Sequence, residues 1–269
     1  MTSRFFAAVV VAALVAGGAG LWYYTQSSRV APLAPEPHEV VDGDWLEHLY
    51  SQNPRVAEEA VRQLNEMGAT ALPEIQDVLR DPGADTAMKK AALKAAGLLG
   101  PLAEPAVPDV AAHLTDPELT AETAVALSFM GRDAFAPLRE GTSSDDPVVR
   151  REALRSIGKL KERAPLDARA VVPLLLGGLR DPDPTVRTVA ATYLGIIRAE
   201  APAVVPALIK TLGDDTPEVR SAAATALGSF GSEAQSAVPA LRKATADRNE
   251  DVAREAGVAL VKLQSNERK

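Results

Sequence analysis

Apolar residues recur along this chain with the spacing of helices, and nowhere for long with that of strands. Val186, Val189, Ala190, Tyr193, Leu194 and Ile197 follow a 3.6-residue period, as do Val219, Ala222, Ala223, Ala226 and Leu227. Runs of this kind open alike. A short polar residue comes first, at Asn53, Asp85, Asp116, Asp146, Asp183, Thr216 and Asn249. Its side-chain oxygen can accept a bond from an orphan amide of the first turn. In five copies a proline follows directly (Pro54, Pro117, Pro147, Pro184, Pro217), where a missing N–H costs nothing and φ is already helical. A second set of apolar runs starts at Pro73, Pro108, Pro137, Pro173, Pro206 and Pro239. The predicted unit is helix, turn, proline-started helix, tight turn. Successive openings lie 32, 31, 30, 37, 33 and 33 residues apart. A period in that range predicts a stacked array rather than a globule around one pocket.

Three copies share cap, proline, valine and arginine: Asp146-Pro147-Val148-Val149-Arg150, Asp183-Pro184-Thr185-Val186-Arg187 and Thr216-Pro217-Glu218-Val219-Arg220. From about Asp44 onward these residues resemble the HEAT family, in particular the short bacterial HEAT-like repeats of the phycobilin-lyase type. The match is weakest at Asp116, where Thr120 stands in place of the arginine. The resemblance implies an all-α fold, an α-α superhelix (HEAT-like solenoid) whose second helices line a concave face. It implies no reaction, since this scaffold serves many roles.

A cation in the first turn of a helix opposes the macrodipole and needs an acid nearby. Acids fill the turns before Arg150, Arg187 and Arg220 (Asp145, Asp146, Asp181, Asp183, Asp214, Asp215), so the expected role is an Asp–Arg ladder joining repeats. Gly97, Gly158, Gly195 and Gly228 recur at one position of the first helix, which suits close helix packing.

Before the array, residues 5–24 carry no charge over 20 positions, from Phe5 and Phe6 through Leu14 and Leu21 to Trp22, Tyr23 and Tyr24. At ~1.5 Å per residue such a helix spans a hydrocarbon core of roughly 30 Å, and the closing aromatics suit the interface. The expectation is one N-terminal transmembrane helix, a signal anchor over 1–24. The alternative is a cleaved signal, with the small residues from Ala16 to Gly20 as the cleavage region and a soluble exported product. The expected setting is a bacterial inner membrane, single-pass, with the repeats periplasmic. Residues 25–43, with Pro32, Pro35 and Pro37, form a semi-rigid linker. The solenoid covers 44–269: a capping helix over 44–52, repeats starting near 53, 85, 116, 146, 183 and 216, and a terminal half-repeat from 249.

Composition then narrows the partners. The net charge is −7, and no Arg/Lys run interleaves with aromatics, which argues against sequence-independent nucleic-acid binding. With no cysteine there is no disulfide and no lipoprotein anchor. His38, His48 and His113 are too scattered along a rod to share a metal, and no nucleophile motif is present. The expectation is a non-catalytic scaffold without a cofactor, tethered to the membrane, that binds another protein or a peptide. A lyase-like or chaperone-like accessory subunit is the alternative.

Positions one and four after each helix-starting proline, with Leu176, Gly178 and Arg242 beside them, give a candidate binding face. It is acidic at one end (Glu74, Asp77, Asp109), apolar and shallow in the middle (Leu174, Leu176, Gly177, Gly178) and basic at the other (Lys210, Arg242, Lys243). The rival reading makes these leucines core and the charges a solvated face. The copy from Asp116 is a flexible joint or a degenerate repeat. The inserted stretch 161–167 lengthens one inter-helix turn.

Overall fold

The computed structural model describes residues 45–265. The chain divides into a unit Met1–Trp45, of which Trp45 alone is described, and a unit Leu46–Lys269. The proposed anchor and linker therefore lie outside the described residues. Among the described residues there is no strand, and no helix is long and apolar enough to cross a membrane.

After a short α1 (Trp45–His48) the helices come in pairs. These are α2 (Pro54–Met67) with α3 (Leu72–Arg80), α4 (Thr86–Leu99) with α5 (Val107–Ala111), and α6 (Thr120–Leu127) with α7 (Phe135–Gly141). There follow α8 (Pro147–Arg163) with α9 (Ala168–Gly178), α10 (Pro184–Ile197) with α11 (Ala201–Thr211), α12 (Pro217–Phe230) with α13 (Val238–Ala244), and the single α14 (Glu250–Ser265). The core runs between the two layers as a row of buried aliphatics, such as Leu64, Ile75, Leu93, Leu127, Leu138, Ile157, Leu175, Leu194, Leu208 and Leu227.

The capping chemistry explains most helix starts. Asn53, Asp85, Asp146, Asp183 and Asn249 each accept an amide of the following first turn. Thr216 departs from expectation: its backbone is extended, but its hydroxyl makes no cap bond. That oxygen instead lies 3.4 Å from Nη2 of Arg187. Pro117 does not open a helix either. The Asp116 carboxylate and carbonyl close a turn onto the amides of Glu118 and Thr120, and α6 starts only at Thr120.

Proline is the second residue of α3, α5 and α13 and the third of α7, but Pro173 and Pro206 sit inside α9 and α11. The difference follows from the preceding turn. Gly68, Gly100, Gly131 and Gly231, all with positive φ, lead into short 3-10 segments that end before or at the proline's helix. The turns before α9 and α11 (164–167 and 198–200) lack such a glycine, and there the helix begins ahead of the proline; Asp167 caps α9 through the Arg169 amide at 2.9 Å. The insertion is taken up partly by an extra turn of α8, which runs 17 residues against 14 in α10 and α12. Arg163 then lies over the Phe129 ring at 4.2 Å, and Lys161 closes the turn on the Leu166 carbonyl.

Candidate functional site

The ladder exists, with its acids in an unexpected place. Arg150, Arg187 and Arg220 each grip one carboxylate with Nε and Nη2, on Asp181, Asp214 and Asp247 respectively, at 2.7–2.9 Å. These acids belong to the turn that follows each repeat, whereas the preceding turn supplies backbone carbonyls to Nη1. Each acid also accepts the amide two residues on, at the head of the next helix. One guanidinium thus ties two successive turns together.

Both sides of each rung are largely buried, so the charges shift one another. The Arg150 hydrogen bonds hold the Asp181 carboxyl below the ordinary carboxylate range against the opposing effect of burial. Arg220 does the same for Asp247. At Asp214 burial pushes upward, but bonds from Arg187 and the Thr216 amide, with the Arg187 and Arg220 charges, leave the group lowered. The rungs are confined to the later repeats, because Ala57, Lys89 and Thr120 occupy the arginine position earlier. There, side chains join neighbouring repeats in other ways: Arg80 and Gln76 to Asp109, Thr86 to Glu118, and Lys90 to Glu122.

The recurring glycines set the spacing of the first helices. A Cβ on Gly195 would lie 2.6 Å from Ala226 Cα, and one on Gly228 would lie 3.0 Å from Ala259 Cα. On Gly97 it would meet Ala126 Cα at 3.2 Å, and on Gly158 the Tyr193 ring. The later first helices therefore pack closely, while second helices touch each other sparsely.

A cleft of about 480 Å³ lies on the first-helix face, lined wholly by α10, α12, α14 and the Asn249 cap. Gly195, Ala222 and Ala226 line it with small side chains, and Ile196, 43% exposed, adds an apolar wall. Ser221, Thr225 and Ser229 contribute hydroxyls; Glu218, Asp251, Arg254 and Glu255 supply charge. A second depression, of about 510 Å³, continues past Ile196 to Arg198 and Lys262.

The residues singled out from sequence sit on the second helices and do not line this cleft. Glu74, Asp77, Gly177, Lys210, Arg242 and Lys243 are exposed, and Leu174 and Leu176 are half-buried. Asp109 is engaged, bonded to Arg80 at 2.7 and 2.9 Å and to Gln76 at 2.7 Å, so it holds α3 to α5. Gly178 is buried, and a Cβ there would lie 2.7 Å from Leu154 and 2.9 Å from Ala190. It is a packing glycine, unlike its neighbour Gly177, which faces open space. A shallower depression of about 480 Å³ does lie between α5 and α7, with Glu104, Asp133 and Glu140 as its acids.

Paired helices stacked in register make the unit Leu46–Lys269 an α-solenoid of the armadillo and HEAT kind. A family model described as HEAT repeats matches residues 135–203 and 172–262. No curated protein matches the chain by sequence. Among solved structures, it is similar to Kap121p, at 15% identity and TM-score 0.57, over 78% of this chain but only 26% of that one. The Escherichia coli protein YibA superposes with TM-score 0.55 and 15% identity, covering 84% of this chain and 88% of YibA. A designed armadillo repeat protein, solved in complex with the peptide (KR)4, matches with TM-score 0.46 and 18% identity over 82% of this chain and 98% of its own. The likeness to Kap121p and YibA shows the fold.

Proposed function

We propose that this array is a non-catalytic scaffold that holds an extended peptide segment of a partner protein across its first-helix face. The observation that carries this reading is the cleft across α10, α12 and α14, with its small-residue lining and polar rim. Helix axes in contact lie ~8–10 Å apart, and an extended chain advances ~3.3 Å per residue, so each repeat accommodates about three residues. Hydroxyls along the cleft can bond a peptide backbone, while Ile196 offers apolar contact to alternate side chains.

A random dodecapeptide display library selected on the full-length chain in detergent should yield binders that depend on this cleft. Ser221→Trp fills it from a half-buried position and should cut their retention about tenfold, a loss of ~1.4 kcal/mol. Retention unchanged by that substitution, with the unfolding midpoint also unchanged, would remove the cleft from consideration.

Residues 5–24 are proposed to anchor the chain in a membrane with the array on the non-cytoplasmic side. A reporter active only in the cytoplasm, fused after Lys269, should then stay silent. Strong reporter activity would reverse the orientation.

A further inference from the structure

Three hydroxyl-bearing positions of α12 that line the cleft, five, nine and thirteen residues after the cap, are Ser221, Thr225 and Ser229. The register carries the same three positions to Arg151, Arg155 and Lys159 on α8. They stand four residues apart and therefore share one helix face. The surface that is hydroxylic on α12 is thus a column of cations here.

Beneath the column lies Glu152, only 4% exposed. Its carboxylate takes Nε of Arg151 at 2.9 Å and Nη1 of Arg155 at 3.1 and 3.2 Å. A buried acid that orients two guanidinium groups by one edge each leaves their remaining N–H donors for an outside acceptor. The Arg151 and Arg155 side chains are 29% and 39% exposed, open enough to be reached. Asp183 and Glu162 also interact with this cluster from the cap of α10 and the end of α8. Even so, burial first, and then the Arg155 and Arg163 charges, press the Lys159 ammonium below its usual range. An incoming anion would relieve that crowding. At the register of Lys159, thirteen residues after the cap, the neighbouring units carry Phe129 and Ile196.

We propose that the α8 column is an acidic-residue subsite, where Arg151, Arg155 and Lys159 receive an aspartate or glutamate side chain of the bound peptide. This rests on the cleft reading above and adds the chemistry of the partner. The partner segment then carries an acidic residue followed, about three residues on, by an aliphatic residue against Ile196.

The same dodecapeptide selection tests it. Binders from the wild-type chain should be enriched in Asp or Glu at a fixed position, and their affinity should fall steeply with added salt. Arg155→Gln/Lys159→Gln leaves Arg151 on Glu152; with an unchanged melting temperature, it should weaken those binders about tenfold and erase the enrichment. Lys159→Gln alone, which leaves both guanidinium groups on Glu152, gives the same direction of change should the double variant melt early. Binders that need the cleft yet show no acidic preference would overturn the subsite and leave the cleft standing. Binders indifferent to Ser221→Trp would overturn both. Acid-free binders together with sedimentation on phosphatidylserine vesicles, lost in the double variant, would assign the column to a lipid surface and overturn the proposal.

Discussion

Replacing Gly195 by alanine is expected to weaken the array by about 1–3 kcal/mol, although alanine is the better helix former. The added carbon would fall 2.6 Å from Cα and 2.8 Å from Cβ of Ala226. Both atoms belong to or hang directly on the backbone of α12, so no side chain can swing aside. α10 and α12 must separate, and the contact that brings the first helices together is lost along its length. Gly177 supplies the control. It is exposed in α9 with nothing within 4 Å of its missing Cβ. There the same substitution should stabilise by about 0.5–1 kcal/mol, the ordinary helix preference. Urea unfolding of the two variants reads the contrast. If both shift in the same direction, the close approach is not what sets the spacing of this layer.

The second large effect concerns the rungs. Arg220→Met should cost about 2–3 kcal/mol, because Asp247 loses a two-pronged partner and two carbonyls lose their donor in a largely buried place. The pair is 8% and 13% exposed. The rungs also predict how stability follows pH. Asp181, Asp214 and Asp247 all titrate in the folded chain below their ordinary value of 3.8. A group lowered by folding contributes its full stabilisation above the unfolded value and loses it as pH falls toward the folded one. Urea midpoints should therefore hold from neutral pH to about 4 and drop below it. In the triple variant Arg150→Met/Arg187→Met/Arg220→Met the midpoint starts lower and the acid drop is shallower. Equal acid slopes in the two proteins would show that the rungs do not govern this behaviour.

Much of the fold was legible because each repeat states its start in local chemistry. A cap, a proline and a period of apolar residues depend only on neighbours in sequence, and the caps at Asn53, Asp146 and Asp183 bond as expected. Relations across repeats were harder to read. The arginines were recognisable as ladder residues, but their acids had to be sought one repeat onward, two residues before the next cap. The recurrence of Asp181, Asp214 and Asp247 there was the available signal. The close packing of the first helices depended on the same kind of relation: Gly195 meets Ala226 and Gly228 meets Ala259, a pairing visible only when one repeat is laid on the next. Gly178 misled for the same reason: beside Gly177 it looks like open backbone, yet Leu154 and Ala190 press on it.

The rung geometry has one consequence for how the units hold together. A contact that recurs from unit to unit ceases where either partner is missing. Ser144 stands where an acid would receive the arginine of the preceding unit, and its hydroxyl is spent on the Asp146 amide. Ala253 stands at the arginine position of the unit opened by Asn249. The three rungs therefore clamp the units that open at Asp146, Asp183, Thr216 and Asn249 into one block, with a seam at Ser144.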